Sequence, residues 1–109
     1  MENFRTYQLA IIFFKECEKI KLTGPAKNQF ERAVLSIVLN LAEGSAKPSQ
    51  KQRKQFYSIS LGSLREVRAT MQLYPKQPIY SVLTYTNYGK ILEFNLFDIE
   101  SVQKKMFKK

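Results

Sequence analysis

Residues 39–66 read LNLAEGSAKPSQKQRKQFYSISLGSLRE, and this stretch indicates the fold more directly than any other part of the chain. Apolar residues recur at helical spacing up to Gly44, which suits a C-terminal cap. Ser49 lies three residues before Gln52, a spacing typical of the capping box at a helix start. The stretch therefore predicts a helix that ends near residue 43, a basic turn, and a new helix that begins near residue 50.

The residues before this stretch continue the first of these helices. From Pro25 onward apolar side chains recur every three or four positions without interruption, as in an amphipathic helix. Gly24 suits a left-handed C-terminal cap on a preceding helix, and Pro25 suits the first turn of the next. The apolar positions are Phe30, Ala33, Val34, Ile37, Val38 and Leu41.

The same periodicity predicts four helices in all, at about residues 5–22, 25–43, 50–74 and 79–107. A break is expected near residues 84–89, where Thr and Tyr favour extended backbone. Because the first connection is short, we expect the first two helices to be antiparallel, and we predict that the four helices form one all-α domain over residues 1–109. The expected core stripe of the third helix is Phe56, Ile59, Ser60, Ser63, Val67, Thr70, Met71 and Tyr74.

The second and third predicted helices each carry a second apolar stripe. A single bundle of this size offers one core, so a second stripe needs cover from another surface. The simplest cover is another copy of the chain, and we therefore expect a homo-oligomer. The predicted interface residues are Leu35, Leu39, Tyr57, Leu61 and Leu64.

Composition limits the possible functions. The chain has 109 residues, 18 basic and 9 acidic, for a formal net charge of +9, which favours polyanions, nucleic acid before membrane, as partners. Histidine is absent, which removes the usual general base and the commonest zinc ligand. With no glycine-rich phosphate loop or nucleophile motif, we expect a protein that is not an enzyme and holds no metal or cofactor.

Apolar runs are too short to cross a bilayer, and no basic region precedes an apolar segment at the N-terminus. We therefore expect a cytoplasmic protein without a membrane partner. The single cysteine, Cys17, lies on the apolar stripe of the first predicted helix and is interpreted as a core residue.

A basic run follows the turn and continues along the third predicted helix. Bases in the first turn of a helix oppose its dipole at about 0.3 to 1 kcal/mol each, and a bound anion would reverse that sign. On a helical wheel Lys51, Lys54, Arg65 and Arg68 share one face, opposite the expected core stripe. We predict phosphate contacts there; the alternative is a solvated face that keeps an oligomer soluble. The predicted nucleic-acid-binding residues are Lys47, Lys51, Arg53, Lys54, Arg65 and Arg68.

Polar residues also occur within the apolar helices. The two carboxylates Glu43 and Glu66 could form an acid and base pair, but a network that fixes helix register explains them better. The predicted network consists of Asn40, Glu43, Ser63 and Glu66.

Two short motifs resemble a known family. Residues 40–44 (NLAEG), the turn with Ser and Lys, Phe56, and residues 61–66 (LGSLRE) are similar to the small bacterial four-helix bundles that include the 23S rRNA intervening-sequence proteins. The resemblance implies an all-α, antiparallel up-down four-helix bundle that assembles into a ring-like homo-oligomer, a pentamer in members and relatives. A related branch, the accessory variability proteins of diversity-generating retroelements, implies basic pentamers that bind nucleic acid and a reverse transcriptase. Residues 80–88 depart from the family pattern.

These observations favour a basic, homo-oligomeric, non-enzymatic protein that binds nucleic acid, RNA or an RNA–DNA intermediate, through phosphate contacts. The alternative is an oligomeric scaffold that recruits a protein partner such as a reverse transcriptase, with its charge serving solubility.

Overall fold

The computed structural model describes residues 4–74 and 88–97, and the regular secondary structure in them is all helical. Helix α1 is Phe4–Cys17, α2 is Gly24–Ala46 and α3 is Gln50–Leu73. We label the helical residues 88–97 α4. The predicted all-α four-helix bundle is confirmed. The remainder of the predicted fourth helix, with most of the break expected near 84–89, lies outside the described residues.

Helix α1 ends at Cys17, about five residues earlier than predicted. The backbone N–H groups of Lys19 and Ile20 bond to carbonyls three residues back, at 3.1 and 3.0 Å, so the helix tightens into a turn. Ile20 and Leu22 are nevertheless buried. Their apolar character continues the periodicity although the backbone has left the helix, which explains the difference.

The turn from α1 to α2 places its glycine differently from the prediction. Gly24 has the expected left-handed conformation, with φ of +65°, but it stands at the start of α2 rather than as the cap of α1. Pro25 occupies the first turn of α2, as predicted.

Helix α2 runs through Gly44, so the predicted cap at this glycine is wrong. Gly44 is buried and does not have a positive φ. A Cβ atom added at Gly44 would lie 2.8 Å from Cε1 of Tyr57 and 2.9 Å from Cβ of Phe56. Glycine is therefore required here because α2 and α3 approach each other closely.

The predicted cap of α3 is confirmed. The backbone N–H of Gln52 donates to Oγ of Ser49 at 3.2 Å, and Ser49 Oγ also lies 3.2 Å from Oε1 of Gln52. One of the unpaired N–H groups at this helix start is thus satisfied by the serine side chain.

Contacts between α2 and α3 show that the two helices are antiparallel. Near the turn, the hydroxyls of Ser45 and Tyr57 are 3.3 Å apart. Further along α3, Ser60 Oγ donates to the carbonyl of Ile37 at 2.8 Å. Partners therefore move back along α2 as they advance along α3.

The core of the chain contains residues that we expected at a subunit interface. Tyr57, Leu61 and Leu64 are at most 2% exposed, so no second copy can contact them and this part of the prediction is wrong. In contrast, Leu35 and Leu39 are 45% and 53% exposed. They remain candidates for an interface.

The buried face of α3 is rotated by about 70° from the expected stripe, taking about 100° per residue. Ile59 and Tyr74, which we placed in the core, are half exposed. Both stripes have helical spacing, and the large side chains of the second stripe fill the space between helices better than the serines of the first.

Helix α4 contributes Leu92 and Leu96, which are fully buried as its apolar spacing predicts. Cys17 is also buried in the core. Burial raises the pKa of its thiol above the usual range, and the neighbouring Glu16 carboxylate adds to this effect. None of the helices in the described residues combines the length and apolar character needed to cross a bilayer.

Candidate nucleic-acid interface

The bases at the turn, Lys47 and Arg53, make contacts within the chain. Arg53 Nη1 donates to the carbonyls of Lys47 and Pro48, at 2.8 and 3.2 Å. These carbonyls follow the C-terminal end of α2, where backbone acceptors lack helical partners. Arg53 therefore stabilises the turn, and the Nη1 group of its guanidinium is not available to a ligand.

Lys47 has two contacts of its own. Its Nζ lies 3.5 Å from Oε2 of Glu43, one turn earlier, and 5.3 Å from the ring centroid of Phe56. An ion pair of this kind on an exposed surface is worth little. It nevertheless compensates the Lys47 charge locally.

Lys51 and Lys54 lie in the first turns of α3 and line an open depression with Gln55 and Ser58. Lys51 is exposed and Lys54 is partly exposed. Neither makes an ion pair or hydrogen bond with another described residue. Both ammonium groups can therefore reach a ligand, and both stand at the helix end whose dipole favours an anion.

Arg65 and Arg68 share one carboxylate from α4. Arg68 Nη1 donates to both oxygens of Glu93, at 3.0 and 3.1 Å, and Arg65 Nε lies 3.6 Å from Oε1. The two arginine side chains are 50% and 42% exposed, whereas Glu93 is 17% exposed. One negative charge opposes two positive charges, so the cluster remains cationic and its guanidiniums are held in place.

Four of the six predicted bases keep an accessible charge and lie on one face of α3, namely Lys51, Lys54, Arg65 and Arg68. From Lys51 to Arg68 the helix rises by about 25 Å, which is the length of roughly seven phosphates of one strand in a duplex. Because α3 is rotated relative to the prediction, this basic face lies beside the buried face of the helix. The sequence pattern had predicted a position opposite the buried face. It borders α4, and for that reason Glu93 can reach it.

Part of the predicted polar network forms. Ser36 and Ser63 share a hydrogen bond of 2.8 Å between α2 and α3, and Asn40 Nδ2 donates to Ser36 Oγ at 3.0 Å. Glu43 and Glu66 are exposed and do not join this network, so that part of the prediction is wrong.

Sequence reasoning missed two of these partners. Ser36 lies one turn before Asn40, and this spacing could have identified it. Glu93 could not be paired with Arg65 and Arg68 from the sequence, because the register of α4 against α3 depends on residues 79–89, whose pattern is ambiguous. Within residues 4–74 and 88–97, no cluster of three or more cysteine or carboxylate groups could hold a metal ion.

Comparison with known proteins gives a family-level result. The family profile described as 23S rRNA-intervening sequence protein matches residues 2–93. No curated protein and no solved structure matches the chain. The matched region includes all of α1, α2 and α3, the turn between α2 and α3, and Glu93.

Proposed function

The chain belongs to the 23S rRNA-intervening sequence protein family, and from this premise we propose that it is a non-enzymatic protein that binds nucleic acid, RNA before DNA, through phosphate contacts. The observation that carries the proposal is the face of α3 on which Lys51, Lys54, Arg65 and Arg68 remain accessible. The rRNA in the family name supports RNA as the ligand. The lysine and arginine side chains of this face suit phosphates, which carry no sequence information, so we expect binding to depend on charge and shape.

The position of the two lysines supports this proposal. In the first turns of α3 the helix dipole disfavours each ammonium group. Lysine at these two positions is therefore a poor choice for helix stability alone. A phosphate at this helix end would contact free N–H groups and both lysines together. A bound anion would offset the unfavourable placement of the two lysines.

Replacing Lys51 and Lys54 together with glutamine is expected to weaken RNA binding about tenfold at low salt. Loss of two phosphate contacts should also reduce the slope of log affinity against log salt by about 1.4 to 1.8. Fluorescence anisotropy with a labelled RNA, measured at several salt concentrations, gives both values.

The matched control is the double replacement of Lys15 and Lys27 with glutamine. It removes the same charge from α1 and α2, and Lys27 also stands in the first turn of its helix. We expect this variant to bind almost as the parent does. If both double variants lose affinity equally, only net charge matters and the α3 face is not the site.

We further propose that the protein is a homo-oligomer in which Leu35 and Leu39 of α2 contact a second copy. Both are about half exposed although their spacing continues an apolar stripe. A ring would repeat the basic face and multiply weak phosphate contacts into higher avidity. Five copies are the stoichiometry that the resemblance implies; the relation to retroelement accessory proteins stays a prediction.

Replacing Leu39 with glutamate is expected to convert the oligomer into single chains at micromolar concentration, because an unpaired charge would be buried at the interface. Native mass spectrometry measures this directly. Gln29→Glu is the control, since Gln29 is an exposed polar residue of the same helix outside the apolar stripe and should leave the mass unchanged. A parent protein with the mass of one chain would refute the oligomer and favour a scaffold whose exposed leucines bind another protein.

A further inference from the structure

A groove lies between α3 and α4, next to the basic face. It is open, has a volume of about 380 Å³, and combines cationic with aromatic side chains. Its lining residues are Arg65, Arg68, Lys90, Glu93, Phe94 and Phe97.

The two phenylalanines of the groove are exposed, and neither belongs to the core formed by the described residues 4–74 and 88–97. Phe94 and Phe97 are 69% and 54% exposed, whereas Leu92 and Leu96 of the same helix are fully buried. The leucines thus complete the packing of α4, and the phenylalanines face the groove and solvent. They stand three residues apart, so they lie close together on the helix surface.

Charge in the groove favours an anion. Two arginines and Lys90 oppose the single carboxylate of Glu93, which leaves a net charge of +2 among the lining residues. Each guanidinium has five N–H donors, and the bonds to Glu93 use few of them. Glu93 also restricts the arginines, so less side-chain freedom would be lost when they bind a ligand.

A ligand that matches this groove carries both negative charge and flat aromatic surfaces. Unpaired nucleotides have both, since their phosphates suit arginine and lysine and their bases stack on aromatic rings. Bases within a duplex are already stacked on each other and are not available to a side chain. An acidic peptide would meet the charge but leave the phenylalanines without a specific partner.

We propose that the α3–α4 groove binds unpaired nucleotides, with bases stacked on Phe94 and Phe97 and phosphates held by Arg65, Arg68 and Lys90. This inference rests on the proposed function and deepens it, because it assigns single-stranded or looped segments as the ligand. Lys51 and Lys54 extend the row of phosphate contacts along α3, whereas the groove selects nucleotides that are not base-paired.

The test replaces Phe94 and Phe97 with alanine, which suits a helix and does not disturb the buried leucines. The probes are a single-stranded oligouridine of about 12 nucleotides and an RNA duplex of the same length. Affinity for the single strand is expected to fall about 10- to 100-fold, with less than a threefold change for the duplex and no change in salt slope. Ile91→Ala, at a half-exposed position of the same helix, is the control and should bind as the parent does.

A second variant reports on stacking directly. The sequence contains no tryptophan, so Phe94→Trp introduces a single fluorescent indole that keeps an aromatic surface. It should retain affinity, and its fluorescence should be quenched by the oligouridine but not by inorganic phosphate or polyglutamate.

The outcomes separate this inference from the proposed function. Unchanged single-strand affinity in the double alanine variant, or equal losses for both probes, overturns the groove inference while the lysine variants still test phosphate binding. Efficient competition by polyglutamate would assign the groove to an acidic protein segment instead. A parent protein that binds neither RNA probe refutes both proposals.

Discussion

Replacing Leu64 with alanine is expected to lower the free energy of unfolding by about 3 to 5 kcal/mol. Leu64 is fully buried on the face of α3 that packs in the core. Removing its branched end deletes apolar contacts and leaves a cavity that the surrounding helices can fill only in part. A domain of this size has a total stability of about 5 to 15 kcal/mol, so the loss is a large part of it. Urea unfolding followed by circular dichroism measures the change.

Leu39→Ala is the matched comparison, since it makes the same change at a side chain that is 53% exposed. In the single chain we expect a loss below about 1 kcal/mol. If the protein assembles, the apparent stability of this variant will depend on protein concentration, so both variants need measurement over a concentration series. Equal losses at the lowest concentration would contradict the assignment of Leu64 to the core and Leu39 to the surface.

Replacing Gly44 with alanine is expected to destabilise the chain by about 1 to 3 kcal/mol, although alanine is the better helix former by about 1 kcal/mol. The new methyl group would lie 2.8 Å from the ring of Tyr57, which is fully buried and cannot move aside. It would also lie 2.9 Å from Cβ of Phe56, which moves only with the backbone of α3. The destabilisation from overpacking at Gly44 therefore exceeds the gain from the higher helix propensity of alanine. Thermal and urea unfolding both measure the result.

Gly62 provides the control within the same bundle. It lies on the exposed surface of α3, and a Cβ atom there would meet nothing within 4 Å. Gly62→Ala should therefore show only the effect of the higher helix propensity of alanine. We expect it to raise the free energy of unfolding by about 0.5 to 1 kcal/mol. If both alanine variants were stabilised alike, α2 and α3 would have to separate easily, and the tight approach at Gly44 would not limit the fold.

The helices themselves could be predicted from sequence because each carries an apolar face at helical spacing. The residues of α2 from Phe30 to Leu41 illustrate this, since the expected positions are the buried ones apart from the partly buried Val38. Helix ends were harder to place. Leu22 keeps an apolar side chain in the core beyond the end of α1, and Gly44 serves close packing inside a helix rather than termination.

The rotation of α3 could not be derived from periodicity. Both the stripe that contains Ile59 and the stripe that contains Leu61 repeat every three or four residues, and which one faces α2 depends on three-dimensional packing. Choosing the wrong stripe as the buried face of α3 also made the interface prediction wrong. Tyr57 and Leu64 were assigned to contacts with a second copy, but the single chain already buries them.

The basic run was identified from composition, but its members differ in ways that composition does not show. Arg53 is directed back to the carbonyls of the turn, while Lys51, two residues earlier, points to solvent. Arg65 and Arg68 depend on Glu93, which is far away in sequence. Charge patterns predict where a polyanion could bind; contacts decide which side chains remain available to it.

The buried cysteine has a consequence for the redox chemistry of any assembly. Cys17 is the single thiol of the chain, so a disulfide could only join two different chains. Its burial raises the pKa and keeps the sulfur protonated, whereas disulfide exchange requires an accessible thiolate. If copies of the folded chain associate, non-covalent contacts rather than a disulfide at Cys17 would therefore hold them together.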